Sequence, residues 1–337
     1  MLHTVSGATG LVGSHLVHRL LKEGKQVRAL HRASSDRGLV ERIFAYYGDN
    51  LSDYQSNLEW KEADLLDIID VDQAVAGSAV FYHTAAVVSF DPRDQKALIE
   101  GNRKITAHVV NAALQHQVTR FVHVSSVAAL GRKPDQHEFD EESYWVESDE
   151  NSNYAKGKYA AEMEVWRGIE EGLSAAMVNP CIILGPGTWN DGSAAIFRNI
   201  AKGFKFYTQG INAYVDVRDV VEALCILAAG EQKERYIIAA ENRSYQSLFT
   251  EIAKALKVSP PSLEVKPWLA GIAWRWEALK SKITGSKPLV TKETARTAQG
   301  RYYYKNDKAR RDLGLEFRDI NTSVAFIAEC YRKDFPV

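Results

Sequence analysis

Short apolar runs and helical stripes alternate through the first half of the chain. Leu2 to Val5 predicts a strand. The stripe Leu11, Val12, Leu16 and Leu20, with His15 and Arg19 beside it, predicts a helix ending near Gly24. Further strands are expected at Gln26 to Leu30, Leu58 to Glu62, Val80 to Thr84 and Arg120 to Val124, with a helix over Asn102 to His116. Beyond Pro180 the pattern becomes irregular. Ala194 to Lys202 reads as helix, Arg235 to Ala239 as a strand returning to the sheet, and Ser247 to Val258 as helix. Pro260-Pro261 breaks the chain before a helical stretch from Trp268 to Lys282. Strands separated by helices imply an α/β fold with a parallel sheet and right-handed crossovers. Such sheets bind ligands at the carboxyl ends of their strands, where Gly7, Arg32, Asp64, Ala85, Ser126 and Pro180 all fall.

The first strand-to-helix turn holds Gly7-x-x-Gly10-x-x-Gly13. The first glycine permits the tight turn, the second lets a pyrophosphate approach the backbone, and the third allows close packing of helix on strand. The helix N-terminus then presents its positive end to the phosphates. An NAD site usually has a carboxylate at the end of the second strand. Here that strand runs into Leu30-His31-Arg32-Ala33-Ser34-Ser35, and no acidic residue occurs before Asp36. The Arg32 guanidinium suits a 2′-phosphate, so NADP is expected over NAD, unless Arg32 is simply solvated. Asp64, after the third strand, is read either as an adenine contact or as a helix N-cap.

Tyr154 and Lys158 are four residues apart, on one face of a predicted helix. A cation about 4 Å from a phenolate, at an effective dielectric of about 20, is worth roughly 4 kcal/mol. That is about three pK units, so Lys158 is expected to bring Tyr154 toward neutral pH, where it can serve in proton transfer.

The 337 residues are 45% hydrophobic and 25% charged, ordinary for a soluble domain with ample core, and the net charge of −1 gives no general attraction to nucleic acid or anionic membrane. Three scattered cysteines, Cys181, Cys225 and Cys330, argue against a disulfide framework or a metal site and fit a reducing cytoplasm. A strand beginning at Leu2 leaves no room for a signal peptide. Gln73 to Phe90 is uncharged but polar enough to read as a buried strand with flanks.

These motifs, in this order, resemble the extended short-chain dehydrogenase/reductases, the NAD-dependent epimerase/dehydratase family, over nearly the whole chain. The matching segments are Gly7 to Gly13, Asp64-Leu65, His83-Thr84-Ala85-Ala86, Asn102, Val124 to Gly131, Tyr154 to Lys158, Pro180 to Pro186 and Tyr214 to Val220. Arg32 and Asn179-Pro180 point to the dihydroflavonol-reductase-like branch. Ser6 before the first glycine, and Asn102-Arg103-Lys104-Ile105-Thr106 in place of Asn-x-x-Gly-Thr, depart from the pattern.

The resemblance implies a Rossmann-type doubly wound parallel sheet with a smaller C-terminal substrate-binding lobe. Residues 1–180 with about 209–240 would bind cofactor, and about 181–208 with 241–337 would form the lobe. It implies a catalytic set of Ser126, Tyr154 and Lys158, with Ser125 a backbone contact. Gly7, Thr9, Gly10, Leu11, Val12, Gly13, Arg32, Asp64, Leu65, Ala85, Tyr154, Lys158 and Pro180 would hold the cofactor. The expected reaction is reduction of a ketone or aldehyde, or oxidation of the alcohol, in a cytoplasmic homodimer.

Phe90, Trp145, Trp189 and Phe197, with Tyr144, Phe204 and Phe206, are pocket candidates if they are not core, and favour an apolar or ring-bearing substrate. Trp268, Leu269, Ile272, Trp274 and Trp276 are read as packing over the pocket or as core, ahead of a membrane contact. Two rival readings are an NAD-dependent sugar-nucleotide epimerase, with Lys202, Lys205 and Arg218 as diphosphate partners, and a non-catalytic dinucleotide-binding regulator. Val127-Ala128 after Ser126 disfavours dehydration, because the 4,6-dehydratases carry an Asp-Glu pair there.

Overall fold

A computed structural model describes residues 1–88, 92–266, 268–269, 271, 274–275 and 291–336. Phe90, Ile272, Trp276 and most of the helix expected over 268–282 lie outside these residues.

The first half runs β1 (Leu2–Ser6), α1 (Leu11–Lys22), β2 (Gln26–His31), α2 (Gly38–Tyr46), β3 (Leu58–Glu62), α3 (Ile68–Val75), β4 (Val80–His83), α4 (Gln95–Gln115) and β5 (Arg120–Val124). It continues with β6 (Glu138–Phe139), α5 (Asn153–Glu170), β7 (Ala175–Pro180), β8 (Ile182–Leu184), α6 (Ala194–Ala201), β9 (Phe206–Tyr207), β10 (Ile211–Asp216), α7 (Val217–Ala229), β11 (Arg235–Ile238), β12 (Glu241–Ser244) and α8 (Tyr245–Leu256). Among the described residues three helices, Lys292–Gln299, Asp307–Leu313 and Ile320–Asp334, follow toward the C-terminus.

Seven parallel strands form one sheet in the order β11-β7-β5-β4-β1-β2-β3. The chain winds outward from β1 through β2 to β3, then crosses back to β4 and winds the other way. Between β1 and β4 it therefore diverges in two directions, opening a crevice at the strands' carboxyl ends. β4, β5 and β7 are buried along their whole length, as strands covered on both faces must be. One face packs on α1 and α7 through Leu16, Leu20, Val220 and Leu224. The other packs on α3, α4 and α5 through Phe81, Phe121, Val109 and Val165.

A three-stranded sheet, β12-β10-β8, lies apart from the large one. A separate apolar cluster joins α6, α8 and the helix Ile320–Asp334 through residues such as Phe197, Leu248, Ile252 and Val324.

Two helices begin earlier than their sequence suggests. α4 starts at Gln95, because Leu98 extends the buried stripe Asn102, Ile105, Thr106 and Val109 by one turn. α8 starts at Tyr245, because the Ser244 hydroxyl accepts from the Ser247 amide and caps it. The segment read as one strand with flanks, Gln73 to Phe90, places Gln73 to Val75 in α3 and only Val80 to His83 in β4.

Candidate active site

Gly7 leaves β1 with φ of +69°, and a Cβ there would come within 2.8 Å of the Ala85 backbone. The loops after β1 and β4 thus lie backbone against backbone. A Cβ on Gly13 would lie 2.1 Å from the Gly7 carbonyl oxygen, so α1 is pressed onto the same turn. The Gly10 amide donates to the Gly7 carbonyl at 2.9 Å and closes it. Gly10 is the N-cap of α1 and offers no side-chain cap, and the first turn carries no acidic residue. By contrast α5, α7 and α8 are capped by Ser152, Asp216 and Ser244. An uncapped helix start above a cradle that only glycine fits suits a pyrophosphate.

The cleft in front of this turn encloses about 330 Å³ and brings together Gly7, Thr9, Gly10, Arg32, Asp64, Leu65 and Ala85, residues far apart in sequence. Leu11, Val12 and Gly13 turn away into α1, where Leu11 lies beside Gly185 and Gly187. Arg32 is exposed at the cleft edge. Its amide donates to the Ser35 hydroxyl at 3.1 Å, and the Ser35 amide returns to its carbonyl at 2.9 Å. Asp36 is occupied elsewhere, accepting from the Gly38 amide at 2.8 Å. Asp64 accepts from the Leu66 amide at 3.0 Å, while the N-cap of α3 is Asp67. Asp64 is therefore a turn residue lining the cleft and caps no helix. Asn102, buried on α4, accepts from the Val87 amide at 2.8 Å and donates to the Val87 carbonyl at 2.9 Å, fixing the loop beyond Ala85.

Two strands along, β5 ends at Val124, and α5 crosses its end. The Ser152 hydroxyl accepts from the Ala155 amide at 3.0 Å and starts α5, putting Tyr154 in the first turn and Lys158 one turn later. Tyr154 and Ser126 share a hydrogen bond, and Ser126 also accepts from the Ala128 amide at 3.2 Å. Lys158 is buried and donates to the Val124 carbonyl at 3.1 Å. Pro180 closes β7 and is buried. Ser126, Tyr154, Lys158 and Pro180 do not border the 330 Å³ cleft; they lie toward the β5 and β7 ends of the sheet.

One expectation is overturned in sign. Burial pushes the Tyr154 phenol up, with the Ser126 hydrogen bond opposing it. The Lys158 ammonium points to a carbonyl, and burial lowers its own pKa to about 8 against the pull of Glu162. In the protein alone, then, the phenol is protonated at neutral pH: an acid in waiting, with no standing base.

Of the aromatic pocket candidates, Trp145 lies against the loop after Ser126. It stacks on Tyr159 at 4.3 Å between centroids and closes over Gly131, in the loop after Ser126. Trp189 and Phe197 are core residues instead. Trp189 donates to Asp334 at 2.7 Å and packs on Tyr331, and Phe197 is fully buried among α6 and α8. Both belong to an apolar cluster that α6 needs in order to pack. Glu162, Arg235 and His123 lie near Lys158 but belong to none of the sequence motifs. Glu162 follows Lys158 by one helical turn, and that spacing was the available signal. Arg235 and His123 reach the site only through sheet order. His83 and His123 stack side by side, 5.1 Å apart, beneath Lys158, both held neutral by burial.

Among the described residues no His, Cys, Asp and Glu cluster could hold a metal, and no helix is long and apolar enough to cross a membrane.

Residues 3–239 match the model of the NAD dependent epimerase/dehydratase family. A Synechocystis protein named "Putative dihydroflavonol 4-reductase" is 31% identical over 332 residues, covering 95% of this chain and 92% of that one. Cinnamoyl-CoA reductase 1 of Petunia hybrida is 28% identical, covering 94% and 87%. The crystal structure of gox2253 superposes with a TM-score of 0.81 at 29% identity, covering 99% of this chain and 98% of that one. The Bordetella bronchiseptica enzyme WbmH, solved with NAD+, shares the fold with a TM-score of 0.76 at 22% identity, covering 100% and 99%. The chain belongs to the NAD dependent epimerase/dehydratase family, on its dihydroflavonol-reductase-like branch, and is an NAD(P)-dependent oxidoreductase.

Proposed function

We propose that this protein uses NADP(H) to reduce a ketone or aldehyde, or to oxidise the alcohol, of a small apolar or ring-bearing substrate. The observation that carries the reading is the hydrogen bond between Tyr154 and Ser126, one turn from the buried Lys158. When bound, the nicotinamide supplies or accepts the hydride. The protonated Tyr154 gives its proton to the substrate oxygen, and Ser126 donates a hydrogen bond to that same oxygen. Lys158, one turn along α5 from the phenol, holds its positive charge on the Val124 carbonyl. Gly7, Thr9 and Gly10 would hold the pyrophosphate, and Asp64 and Leu65 would flank the adenine.

NADP is favoured because Arg32 stands at the cleft edge while Asp36, the first carboxylate after β2, is engaged by Gly38. Named reductases among the relatives support the carbonyl reading, and Trp145 supports a ring-bearing substrate. We read residues 1–180 with about 209–240 as the cofactor-binding part, the remainder as the substrate lobe, and the working form as a cytoplasmic homodimer.

Thermal denaturation with NADP+ and NAD+ side by side, followed by a panel of aldehydes and ketones with NADPH, tests this. NADP+ should raise the melting temperature at lower concentration than NAD+, and Arg32→Ala should narrow that difference. NAD that stays bound through purification would favour the epimerase instead, and an inert panel would favour the regulator.

A further inference from the structure

Lys158 and Glu162 occupy successive turns on one face of α5, and both are buried, 5% and 1% exposed. A buried carboxylate costs several kcal/mol unless its oxygens are paired. Here one oxygen accepts from the Ser125 hydroxyl at 2.5 Å and from the Asn179 amide at 2.7 Å. The other accepts from the Arg235 guanidinium at 3.0 Å and from the Trp166 indole at 3.4 Å. These partners come from the residue after β5, from β7 and β11, and from α5, so the ends of three neighbouring strands converge on one carboxylate. Arg235 also donates to the carbonyls of Glu141, at 2.8 Å, and Ser143, at 2.6 Å, in the segment that leads to Trp145.

We propose that Glu162 is a positioning residue of the Ser126-Tyr154-Lys158 centre: anchored by Arg235, Ser125 and Asn179, it sustains the charge of the Lys158 ammonium and couples it to the loop bearing Trp145. This rests on the reading above that Lys158 serves Tyr154. The groups around Lys158 support it. Glu162 faces it from α5, the Val124 carbonyl and His123 from β5, and His83 from β4. Both histidines are neutral by burial, and Glu162 is the one carboxyl group of that set. Without it the ammonium would sit under a dry sheet end with dipoles alone for compensation. A carboxylate that merely stitched strands together would not need to lie within the field of the lysine.

The charges predict opposite signs for two neighbours, which a purely structural role does not. In protein labelled with [13Cε]lysine and free of cofactor, the Lys158 resonance is assigned by its loss in Lys158→Arg. Its titration midpoint, about 8 in the wild type, should move to lower pH in the isosteric Glu162→Gln. It should move to higher pH in Arg235→Gln, where the carboxylate loses its counter-charge. The alkaline limb of kcat/KM should move with each midpoint. Midpoints that stay put, or that shift in the same direction in both variants, overturn the proposal. If Glu162→Gln does not fold, Arg235→Gln decides alone: a midpoint that fails to rise overturns it. Shifted midpoints in a protein that reduces no carbonyl would instead sink the assigned function while leaving the coupling of Glu162 to Lys158 standing.

Discussion

The Lys158 ammonium, on the second turn of α5, donates across 3.1 Å to the carbonyl of Val124, the last residue of β5. This single bond crosses from helix to sheet and holds a cation inside a dry interior. The consequence for stability has a definite sign. The folded pKa is about 8 against 10.5 for a free lysine, so between those values the unfolded chain carries the extra proton. Folding is therefore disfavoured below pH 8, and the penalty fades as pH rises toward 10.5. The gap corresponds to about 3 kcal/mol at neutral pH. Lys158→Met should be no less stable than wild type at pH 7, or more so, with the advantage gone above pH 10, while turnover falls by about 10²-fold or more. Denaturant titrations at several pH values check this, and a Met variant less stable at pH 7 than at pH 10 relative to wild type would contradict it.

Tyr154 is expected to act as a protonated acid, because burial holds its phenol up. Tyr154→Phe should keep the fold and the cofactor affinity and lose about 10²- to 10⁴-fold in turnover. Ser126→Ala removes one donor to the substrate oxygen and the Tyr154 partner together, and should cost about 10²- to 10³-fold, chiefly in kcat. Steady-state kinetics with NADPH titrated by fluorescence separate the two effects. Unchanged turnover in Tyr154→Phe would remove the phenol from the mechanism.

The glycine turn separates packing from binding. A Cβ at position 13 would meet backbone, the Gly7 carbonyl, at 2.1 Å, whereas one at position 10 finds its nearest neighbour at 3.3 Å. Gly13→Ala should therefore destabilise the fold by more than about 1 kcal/mol and abolish the cofactor-induced rise in melting temperature. Gly10→Ala should leave the melting temperature of the protein alone within a degree or two, yet weaken cofactor binding, because the methyl enters the cleft. Equal destabilisation of the two variants would show that the turn is not packed as described.

What was legible in the sequence follows from range. The glycine spacing, the strand runs and Tyr154-x-x-x-Lys158 are local patterns, and they place β1, α1, β3, β5 and α5 correctly. The direction of the Lys158 ammonium is not local: it depends on β5 ending beneath α5, so spacing alone gave the wrong sign for Tyr154. Trp189 looked like a pocket residue because it follows Pro180 among glycines. Its indole partner is Asp334, 145 residues away, and no local pattern records that. Phe197 lies on the same helical stripe as Ala194 and Ile200, all buried on α6, a periodicity that already favoured core over pocket. The Glu162 network joins β5, β7 and β11, whose adjacency comes from sheet order and not from sequence neighbourhood.

Two buried histidines make the fold sensitive to acid. His15 lies in α1 behind the glycine turn, with Nδ1 2.7 Å from the Tyr47 hydroxyl and Nε2 3.0 Å from the Pro186 carbonyl. A carbonyl can only accept, so Nε2 carries the proton, and Nδ1 accepts from Tyr47. Both ring nitrogens are satisfied in the neutral form, and burial lowers the pKa to about 4. His83, whose nitrogens meet Ser6 at 2.8 Å and Thr106 at 3.2 Å, is lowered to about 3. In the unfolded chain both would titrate near 6.5. As pH falls below 6.5 the unfolded state takes up protons that the folded state refuses, so stability drops until the folded values are reached. For His15 alone the full window is worth about 3 kcal/mol. His15→Gln cannot titrate and loses the Tyr47 and Pro186 geometry, so it should be less stable than wild type at pH 7. The two should converge as pH falls from 6.5 toward 4. Urea midpoints measured across that range test the idea, and a gap that stays constant with pH would show that His15 contributes packing and hydrogen bonds but no proton linkage.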